Sequence, residues 1–329
     1  MVKLSINFWK RRRVFVTGAD GLLGSWLIKA LLDCQAQVTG FIQDTKRPSE
    51  LYLSKDIKHI KTVRGALEDF LSLTRALHRH RPQTVFHLGA QALVTRAQAN
   101  PLETFESNIR GTYNILEACR RQKGVIQEIV VASSDKAYGI HTSLPYREQM
   151  PLEGCFPYDV SKSCTDMLAR AYQRSYDLPV VVMRCGNIYG GGDFNFDRIV
   201  PGVVRSLLKR QRPVIRSDGK SVRDYVYVKD VGLAYMLAAQ QLRVSKLAGH
   251  ALNISNEVPV SVMDIYKQIA VLMGASAIKP VILNKARCEI PKQYLSAAKI
   301  RRLLHWQPSY NLADGLRETI EWYRAALHR

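Results

Sequence analysis

The sequence lacks the features that mark secreted and membrane proteins. It has no apolar run near the ~18 residues that a membrane-spanning helix needs. Residues 1–13 end in a basic cluster without an apolar stretch before a small-residue cleavage site, so they predict no secretory signal. The six cysteines stand far apart, with no Cys-x-x-Cys pair. This spacing argues against a disulfide framework and a metal site, and we expect reduced thiols in a cytoplasmic protein.

Acidic residues are also scarce. The chain has 28 Asp and Glu against 48 Lys and Arg, which gives a formal net charge of +20. Such an excess attracts anions over a Debye length of about 10 Å, but charge alone selects no partner. The basic clusters at 75–81 and 209–212 have no interleaved aromatic residues and match no nucleic-acid module. We therefore expect a solvated basic surface and no nucleic-acid partner.

The first half of the chain predicts an α/β fold of the Rossmann type, with a doubly wound parallel sheet. Short β-branched runs alternate there with segments of helical periodicity, as in βαβ units. Long helices are predicted from 102 to about 122 and from 160 to 176. The predicted strands cover 13–17, 37–42, 59–63, 84–88, 128–133 and 179–184.

After about residue 187 the pattern loosens into helices separated by proline-containing segments, which predicts a smaller C-terminal α/β lobe that binds substrate. The predicted Rossmann domain covers 1–187, with about 222–250 returning to it. The predicted lobe covers 188–221 and 251–329. A length of 329 residues fits two such units, because domains average roughly 150 residues.

A glycine-rich turn follows the first predicted strand. Gly18, Gly21 and Gly24 come directly after it, and Leu22 and Leu23 open an amphipathic helix. Only glycine lets such a turn tighten while the backbone approaches a pyrophosphate, whose charge then lies at a helix N-terminus. The arrangement predicts a dinucleotide site.

The second strand is followed by Asp44, which lies 20 residues after Gly24. A carboxylate at this spacing accepts hydrogen bonds from a ribose diol and repels a 2′-phosphate, which favours NAD. Lys46 and Arg47 could hold a 2′-phosphate, so NADP stays open.

Tyr158 and Lys162 share one face of a predicted helix, being four residues apart. A lysine ammonium beside a phenol is expected to lower the phenol pKa below about 10 and make it a usable base for an alcohol proton. The same spacing between Tyr225 and Lys229 falls in a strand-like alternation, where the side chains would not meet. A hydroxyl, Ser134, lies at the end of a predicted strand, where parallel sheets hold substrates.

The glycine pattern, Ser134, Tyr158 and Lys162 resemble the extended short-chain dehydrogenase/reductase family, and specifically its NAD-dependent nucleotide-sugar epimerases and dehydratases. The resemblance is strongest to CDP-glucose 4,6-dehydratases, because an Asp–Lys pair, Asp135 and Lys136, follows the hydroxyl. It implies conversion of a nucleotide hexose to its 4-keto-6-deoxy form by C4 oxidation, loss of water across C5 and C6, and hydride return to C6.

The resemblance also implies residue roles. Lys136 would be the base for C5, Asp135 the acid for the departing 6-hydroxyl, and Ser134 a hydrogen-bond partner of the 4-oxygen. Leu67 would border the adenine, although Ala66 replaces the usual acidic neighbour. The nucleotide sugar would be bound by residues spread along the chain: Val94, Asn187, Arg198 and Arg223.

Several alternatives stay open at this point. The segment 217–228 resembles nucleotide-sugar epimerases and dehydratases in general, so cytidine is only the favoured base. Residues 293–299 resemble a common family ending that reports the fold and not the substrate. A sugar 4-epimerase would use Tyr158 and Ser134 without the Asp–Lys pair, and a non-enzymatic dinucleotide sensor could do without the Tyr–Lys pair. The resemblance also implies a homodimer through the two long helices.

Overall fold

The structure is a computed structural model that describes residues 4–43, 48–285 and 290–327. Thirteen strands lie in these ranges. In chain order they are β1 Arg13–Thr17, β2 Gln37–Ile42, β3 Lys61–Arg64, β4 Thr84–His87, β5 Glu128–Ser134, β6 Val180–Cys185, β7 Asn187–Tyr189, β8 Val214–Ile215, β9 Val222–Tyr227, β10 Ala251–Ile254, β11 Pro259–Ser261, β12 Val281–Ile282 and β13 Lys292–Gln293.

The helices of the same ranges connect these strands. The α-helices are α1 Ile6–Trp9, α2 Leu22–Asp33, α3 Glu50–Leu53, α4 Phe70–His80, α5 Val94–Ala99, α6 Pro101–Phe105, α7 Gly111–Arg120, α8 Pro157–Tyr176, α9 Ile199–Leu208, α10 Val228–Gln241, α11 Val262–Leu272, α12 Ala298–Leu304 and α13 Leu312–Leu327. Short 3₁₀ turns cover Asp56–His59 and Asp135–Tyr138, and a π-helical turn at Glu106–Arg110 joins α6 to α7.

The main sheet has seven parallel strands in the order β10-β6-β5-β4-β1-β2-β3. Side chains of successive residues in its central strands pack in two different hydrophobic cores, one on each face of the sheet. Val130 packs with residues of α2 and α10, whereas Ile129 and Val131 pack with residues of α4, α7 and α8. The sheet is therefore covered on both faces, which explains the near-continuous apolar strands. The strand order reverses between β1 and β4, and ligands of such sheets bind at the carboxyl ends beside that point.

The predicted strands agree closely with the observed ones. β1 and β2 have the predicted bounds, while β3 begins two residues late because a 3₁₀ turn occupies Asp56–His59. The helix expected from residue 160 begins earlier, at Pro157, a residue favoured in the first helical turn because its missing N–H has no partner to lose. Tyr158 consequently lies in the first turn of α8.

The smaller lobe contains a second sheet in which β9 pairs with β7, β11 and β13. Two assignments of the predicted domain boundaries differ from this topology. β10, at 251–254, pairs with β6 in the main sheet, whereas β9, at 222–227, belongs to the lobe sheet. Within the segment 222–250, α10 packs back on the Rossmann core beside α2, together with Val226 of β9 and with Leu242 and Leu247 after α10. β10 has four residues, too few for a recognisable period.

No helix within the described residues combines the length and apolar character needed to cross a membrane.

A buried ion pair links α8 to β6. Arg184 binds Asp166 through two hydrogen bonds of 2.7 and 3.0 Å, and its third contact is the Tyr138 hydroxyl at 2.7 Å. Arg184 is 1% exposed and Asp166 is fully buried. The pair therefore anchors α8 to the sheet.

We expect Asp166→Ala to lower the free energy of unfolding by about 3–5 kcal/mol, because it leaves a buried guanidinium unpaired. Urea unfolding measures the loss. The control is Glu321→Ala, which removes the exposed pair with Arg324 and should change stability by less than about 1 kcal/mol. Equal small losses in both variants would show that the buried pair does not anchor α8.

Candidate active site

The glycine turn has the geometry of a phosphate-binding loop. Gly18 has a φ of +65°, and a Cβ there would lie 2.7 Å from Gly89 backbone atoms. A Cβ at Gly24 would lie 2.2 Å from the Gly18 carbonyl oxygen. Gly21 precedes α2, whose first residues, Leu22 and Leu23, present backbone N–H groups at the helix N-terminus. The turn thus has backbone amides that could bind a pyrophosphate, and its contact with a dinucleotide stays a prediction.

A hydroxyl network joins this turn to β4. Thr17 Oγ1 accepts hydrogen bonds from the amides of Leu88 and Gly89, so its proton is directed to His87 Nδ1 at 2.9 Å. The other ring nitrogen of His87 lies 3.2 Å from Thr112 Oγ1. Burial lowers the His87 pKa to about 3, so this histidine is neutral and structural.

Leu67 lies beside the turn, as its predicted adenine contact requires. A Cβ at Gly89 would lie 3.0 Å from Leu67 Cδ1, and one at Gly111 would lie 2.7 Å from Leu67 Cβ. Asn114 of α7 holds this segment by donating to the Leu67 carbonyl oxygen at 2.9 Å, a contact that sequence reasoning missed. Asp44, predicted to bind the ribose, is outside the described residues.

Tyr158 and Lys162 are both buried at the carboxyl end of β5, with 8% and 5% exposure. Lys162 Nζ donates to the Ala132 carbonyl oxygen at 3.0 Å, and burial lowers its pKa to about 8. Burial also raises the Tyr158 pKa, against the opposing charge of Arg198 and a hydrogen bond with Ser134. The prediction of a lowered phenol pKa is wrong for the protein alone, because burial outweighs the charge of Arg198 and the hydrogen bond with Ser134.

Ser134, Asp135 and Lys136 form the next part of the site, where β5 ends in a 3₁₀ turn. Ser134 Oγ donates to Asp135 Oδ1 at 2.9 Å and accepts from the Lys136 amide at 3.2 Å. Lys136 Nζ lies 3.3 Å from the same carboxylate oxygen. The structure therefore brings the three residues together where β5 ends, and their catalytic roles stay a prediction.

Two lobe residues complete the surroundings of Lys136. Its Nζ lies 3.4 Å from Asn187 Oδ1 and 3.5 Å from Gln293 Oε1. Asn187, predicted to bind substrate, thus also contacts the catalytic turn. Gln293 was missed, because its segment was interpreted as a family ending that reports only the fold.

The remaining predicted substrate residues are spread around the site. Arg198 precedes α9, pairs with Asp193 at 3.1 Å and is close enough to oppose the rise of the Tyr158 pKa. Arg223 of β9 is buried and donates to the Val222 carbonyl oxygen at 2.8 Å. Val94 begins α5, which packs against α8. The structure therefore places the two arginines near the catalytic cluster and Val94 on a neighbouring helix.

Two further buried acids, Asp159 and Asp224, lie near the cluster and were not predicted. Burial raises the pKa of Asp159 to about 6, with Lys136 opposing the rise. Burial likewise raises the pKa of Asp224 to about 7, and the Asp135 charge adds to the rise. The site therefore combines mixed charges in a desolvated setting, which is typical of acid–base catalysis.

These features define a class: a Rossmann-type enzyme with a glycine turn after β1, and a Tyr–Lys pair and a hydroxyl at the carboxyl end of β5. The sequence model described as GDP-mannose 4,6 dehydratase matches residues 15–319. The chain belongs to this family, within the extended short-chain dehydrogenases/reductases.

Relatives of this chain include dehydratases and epimerases. CDP-glucose 4,6-dehydratase from Salmonella typhimurium is 31% identical over 333 residues, covering 97% of this chain and 92% of the relative. The structure of a dTDP-glucose 4,6-dehydratase from Streptomyces venezuelae with NAD bound is 27% identical, with a TM-score of 0.87 and coverage of 95% and 97%. UDP-glucose 4-epimerase from Thermotoga maritima, with UDP-glucose, is 26% identical, with a TM-score of 0.87 and coverage of 96% and 99%.

The glycine turn gives a direct test of the cofactor site. We expect Gly24→Ala to abolish retention of dinucleotide, because the new Cβ meets the Gly18 backbone. Gly232→Ala in α10 is the control, since the nearest neighbour of the new Cβ would be Leu27 at 3.9 Å, an ordinary van der Waals distance. Dinucleotide retained after purification is measured by absorbance of the denatured supernatant. Retention by Gly24→Ala at the control level would contradict this assignment of the turn.

Proposed function

We propose that this protein is an NAD-dependent nucleotide-sugar 4,6-dehydratase, a lyase, with CDP-glucose as the favoured substrate. The observation that carries the proposal is the Asp135–Lys136 pair beside Ser134, at the carboxyl end of β5. An acid and a base at adjacent positions are what elimination of water requires, whereas epimerisation at C4 needs neither. The Salmonella relative supports cytidine as the base.

The residues of the cofactor site fit NAD. Gly18 and Gly24 let the turn pack closely on Gly89 and on its own backbone just before the N-terminus of α2, and Leu67 contacts Gly89 and Gly111 beside it. When bound, NAD accepts a hydride from the sugar and returns it later. Lys162, held by the Ala132 carbonyl oxygen, faces the same strand end and can bind a ribose hydroxyl.

Oxidation begins at the 4-hydroxyl of the hexose. Tyr158 takes the hydroxyl proton, and Ser134 hydrogen-bonds the 4-oxygen. The raised Tyr158 pKa means that the phenol is protonated in the protein alone. The positive charge of an oxidised nicotinamide ring would stabilise the phenolate, since an opposite charge nearby favours the ionised form.

Elimination follows from the acidity of C5 beside the new ketone. Lys136 as a neutral amine removes the C5 proton, the C6–oxygen bond breaks, and Asp135 as a neutral acid protonates the departing hydroxyl to form water. Both required states arise from the observed ion pair by a single proton transfer from ammonium to carboxylate, with no change in net charge. Hydride returns to C6 and a proton to C5, which gives the 4-keto-6-deoxy sugar.

Substrate binding is assigned to the lobe side of the site. Arg223 and Arg198 would bind the diphosphate, since a guanidinium fork suits phosphate oxygens. Asn187 accepts from Lys136 through Oδ1, so its Nδ2 is the group that would donate to the substrate. Val94 would contact the sugar from the start of α5.

Product mass tests the proposal. Among CDP-, dTDP-, UDP- and GDP-hexoses, we expect CDP-glucose to lose one water, with the alkaline ultraviolet absorbance of a 4-ketosugar. A product of unchanged mass would instead indicate a 4-epimerase, the function of the Thermotoga relative.

Lys136→Ala separates the two half-reactions. We expect this variant to form bound NADH on mixing with substrate but to incorporate no deuterium at C5 in D₂O, because the base for C5 is missing. Acid–base assistance is typically worth 10²–10⁴ in rate. Full turnover by Lys136→Ala would refute the assignment of the base.

We also propose a cytoplasmic homodimer that pairs the long helices of two copies. Exposed apolar side chains support this, because Leu102 of α6 and Met167 of α8 are 68% and 51% exposed. The cysteines of the described residues are free thiols, which suits a reducing compartment.

The double variant Leu102→Glu with Met167→Glu should move the protein from dimer to monomer, because it puts four like charges into one apolar interface. Sedimentation measures the change. Leu71→Glu, at another exposed leucine, is the control and should leave the mass unchanged. A wild type that sediments as a monomer would overturn the dimer.

A further inference from the structure

Gln293 is a fully buried polar residue that reaches the catalytic turn from the far end of the sequence. It lies in β13 of the lobe sheet, and its side chain makes two contacts with the main domain. Its Nε2 donates to the Asp135 carbonyl oxygen at 3.2 Å, and its Oε1 lies 3.5 Å from Lys136 Nζ. One amide therefore contacts both members of the acid–base pair.

Lys136 is surrounded by oxygen atoms from three different elements. They are Asp135 Oδ1 of the 3₁₀ turn, Asn187 Oδ1 of β7 and Gln293 Oε1 of β13, at 3.3, 3.4 and 3.5 Å. An ammonium has three N–H donors, so this arrangement fixes the position of Nζ. Only one of the three oxygens carries a charge, and the two amides orient the nitrogen without adding a second anion.

We propose that Gln293 is a positioning residue for the elimination step, holding Lys136 while leaving it free to transfer its proton to Asp135. The proposal rests on the proposed function, because it assigns Gln293 to the same acid–base pair. A carboxylate at this position would hold the ammonium more strongly and oppose the proton transfer. A residue without an oxygen would let Nζ leave the position from which it reaches C5.

The location of Gln293 also connects this pair to substrate binding. In the parallel register of β13 and β9, Gln293 is the partner of Arg223, the arginine proposed to bind the diphosphate. A shift of β9 on binding the diphosphate would therefore move Gln293 directly. This register makes the orientation of Lys136 sensitive to the non-reacting part of the substrate, whose binding energy can then promote chemistry at the sugar.

Any pH effect at Lys136 is shared with the charged groups of the surrounding elements. Burial raises the pKa of Asp159 to about 6 and of Asp224 to about 7, so both titrate near neutral pH. The rates of the variants are therefore compared with one another at each pH. No rise or fall in the pH–rate profile of the wild type is assigned to a single residue. The charged groups around the Asp135–Lys136 pair are Asp159 on α8, Arg223 and Asp224 on β9, and Arg198 before α9.

The test measures two rates for each variant in a single turnover. Formation of bound NADH reports C4 oxidation, and deuterium incorporation at C5 in D₂O reports elimination. We expect Gln293→Glu to slow C5 exchange about tenfold at neutral pH, because a nearby carboxylate favours the ammonium and opposes proton transfer to Asp135. The fall of the rate at high pH should move upward by about one unit, because the pair then keeps its shared proton to higher pH. NADH formation should change less than threefold, as the Tyr158 step does not use Lys136.

Gln293→Met is the second variant, of similar length but without the amide. It should slow C5 exchange without moving the pH profile, because it removes a contact and adds no charge. Gln307→Glu, at an exposed position before Pro308, is the matched control for the change in net charge and should resemble wild type.

The outcomes separate the two proposals. A wild type that produces no dehydrated sugar from any nucleotide hexose refutes the proposed function, and the role of Gln293 falls with it. A wild type that dehydrates while both Gln293 variants keep full C5 exchange refutes only the positioning role. Equal loss of NADH formation and C5 exchange in both variants would indicate a merely structural residue and would also overturn the proposal.

Discussion

The site depends on the contact that holds the carboxyl ends of β1 and β4 together, where the strand order reverses. Thr17 makes this contact through its hydroxyl group. The hydroxyl oxygen accepts hydrogen bonds from two backbone amides after β4, and the hydroxyl proton is donated to His87. The neutrality of His87 follows from its burial, so the contact is insensitive to physiological pH. The Gly18 turn and Leu67 both pack against Gly89, whose amide binds Thr17. The position of the glycine turn and of Leu67 therefore depends on this contact between β1 and the chain after β4.

The proposed catalytic residues come from two layers of the molecule. Ser134, Tyr158 and Lys162 lie on β5 and α8 of the Rossmann core, where Arg184 and Asp166 fix the helix against the sheet. The lobe contributes Asn187 and Gln293, whose side-chain oxygen atoms lie near Lys136 Nζ. In the proposed mechanism, oxidation at C4 uses residues of the core, whereas elimination uses a turn that both layers contact.

Local sequence patterns predicted the features that depend on interactions between residues close together in the chain. The bounds of β1 and β2, the glycine turn and the cluster at the end of β5 follow from residue period and turn chemistry. Gln293 could not be found in this way, because it contacts Lys136 across 157 residues of chain. The rise of the Tyr158 pKa was missed for a related reason, since burial is a property of the folded chain and not of the local Tyr–Lys spacing. The four residues of β10 carry too little pattern to reveal which sheet they join.

The raised pKa values of Asp159 and Asp224 bear on how the site tolerates its substrate. In the proposed binding mode, a nucleoside diphosphate brings negative charge towards Arg198 and Arg223, close to Asp135, Asp159 and Asp224. If all three carboxyl groups were fully ionised, they would oppose that charge in a desolvated setting, where Coulomb energies are large. Burial raises the pKa of Asp159 and of Asp224, and the charge of Asp135 acts in the same direction on both, so the protonated forms of these two acids are favoured. Asp135, paired with Lys136, is then the carboxylate whose charge is balanced within the site.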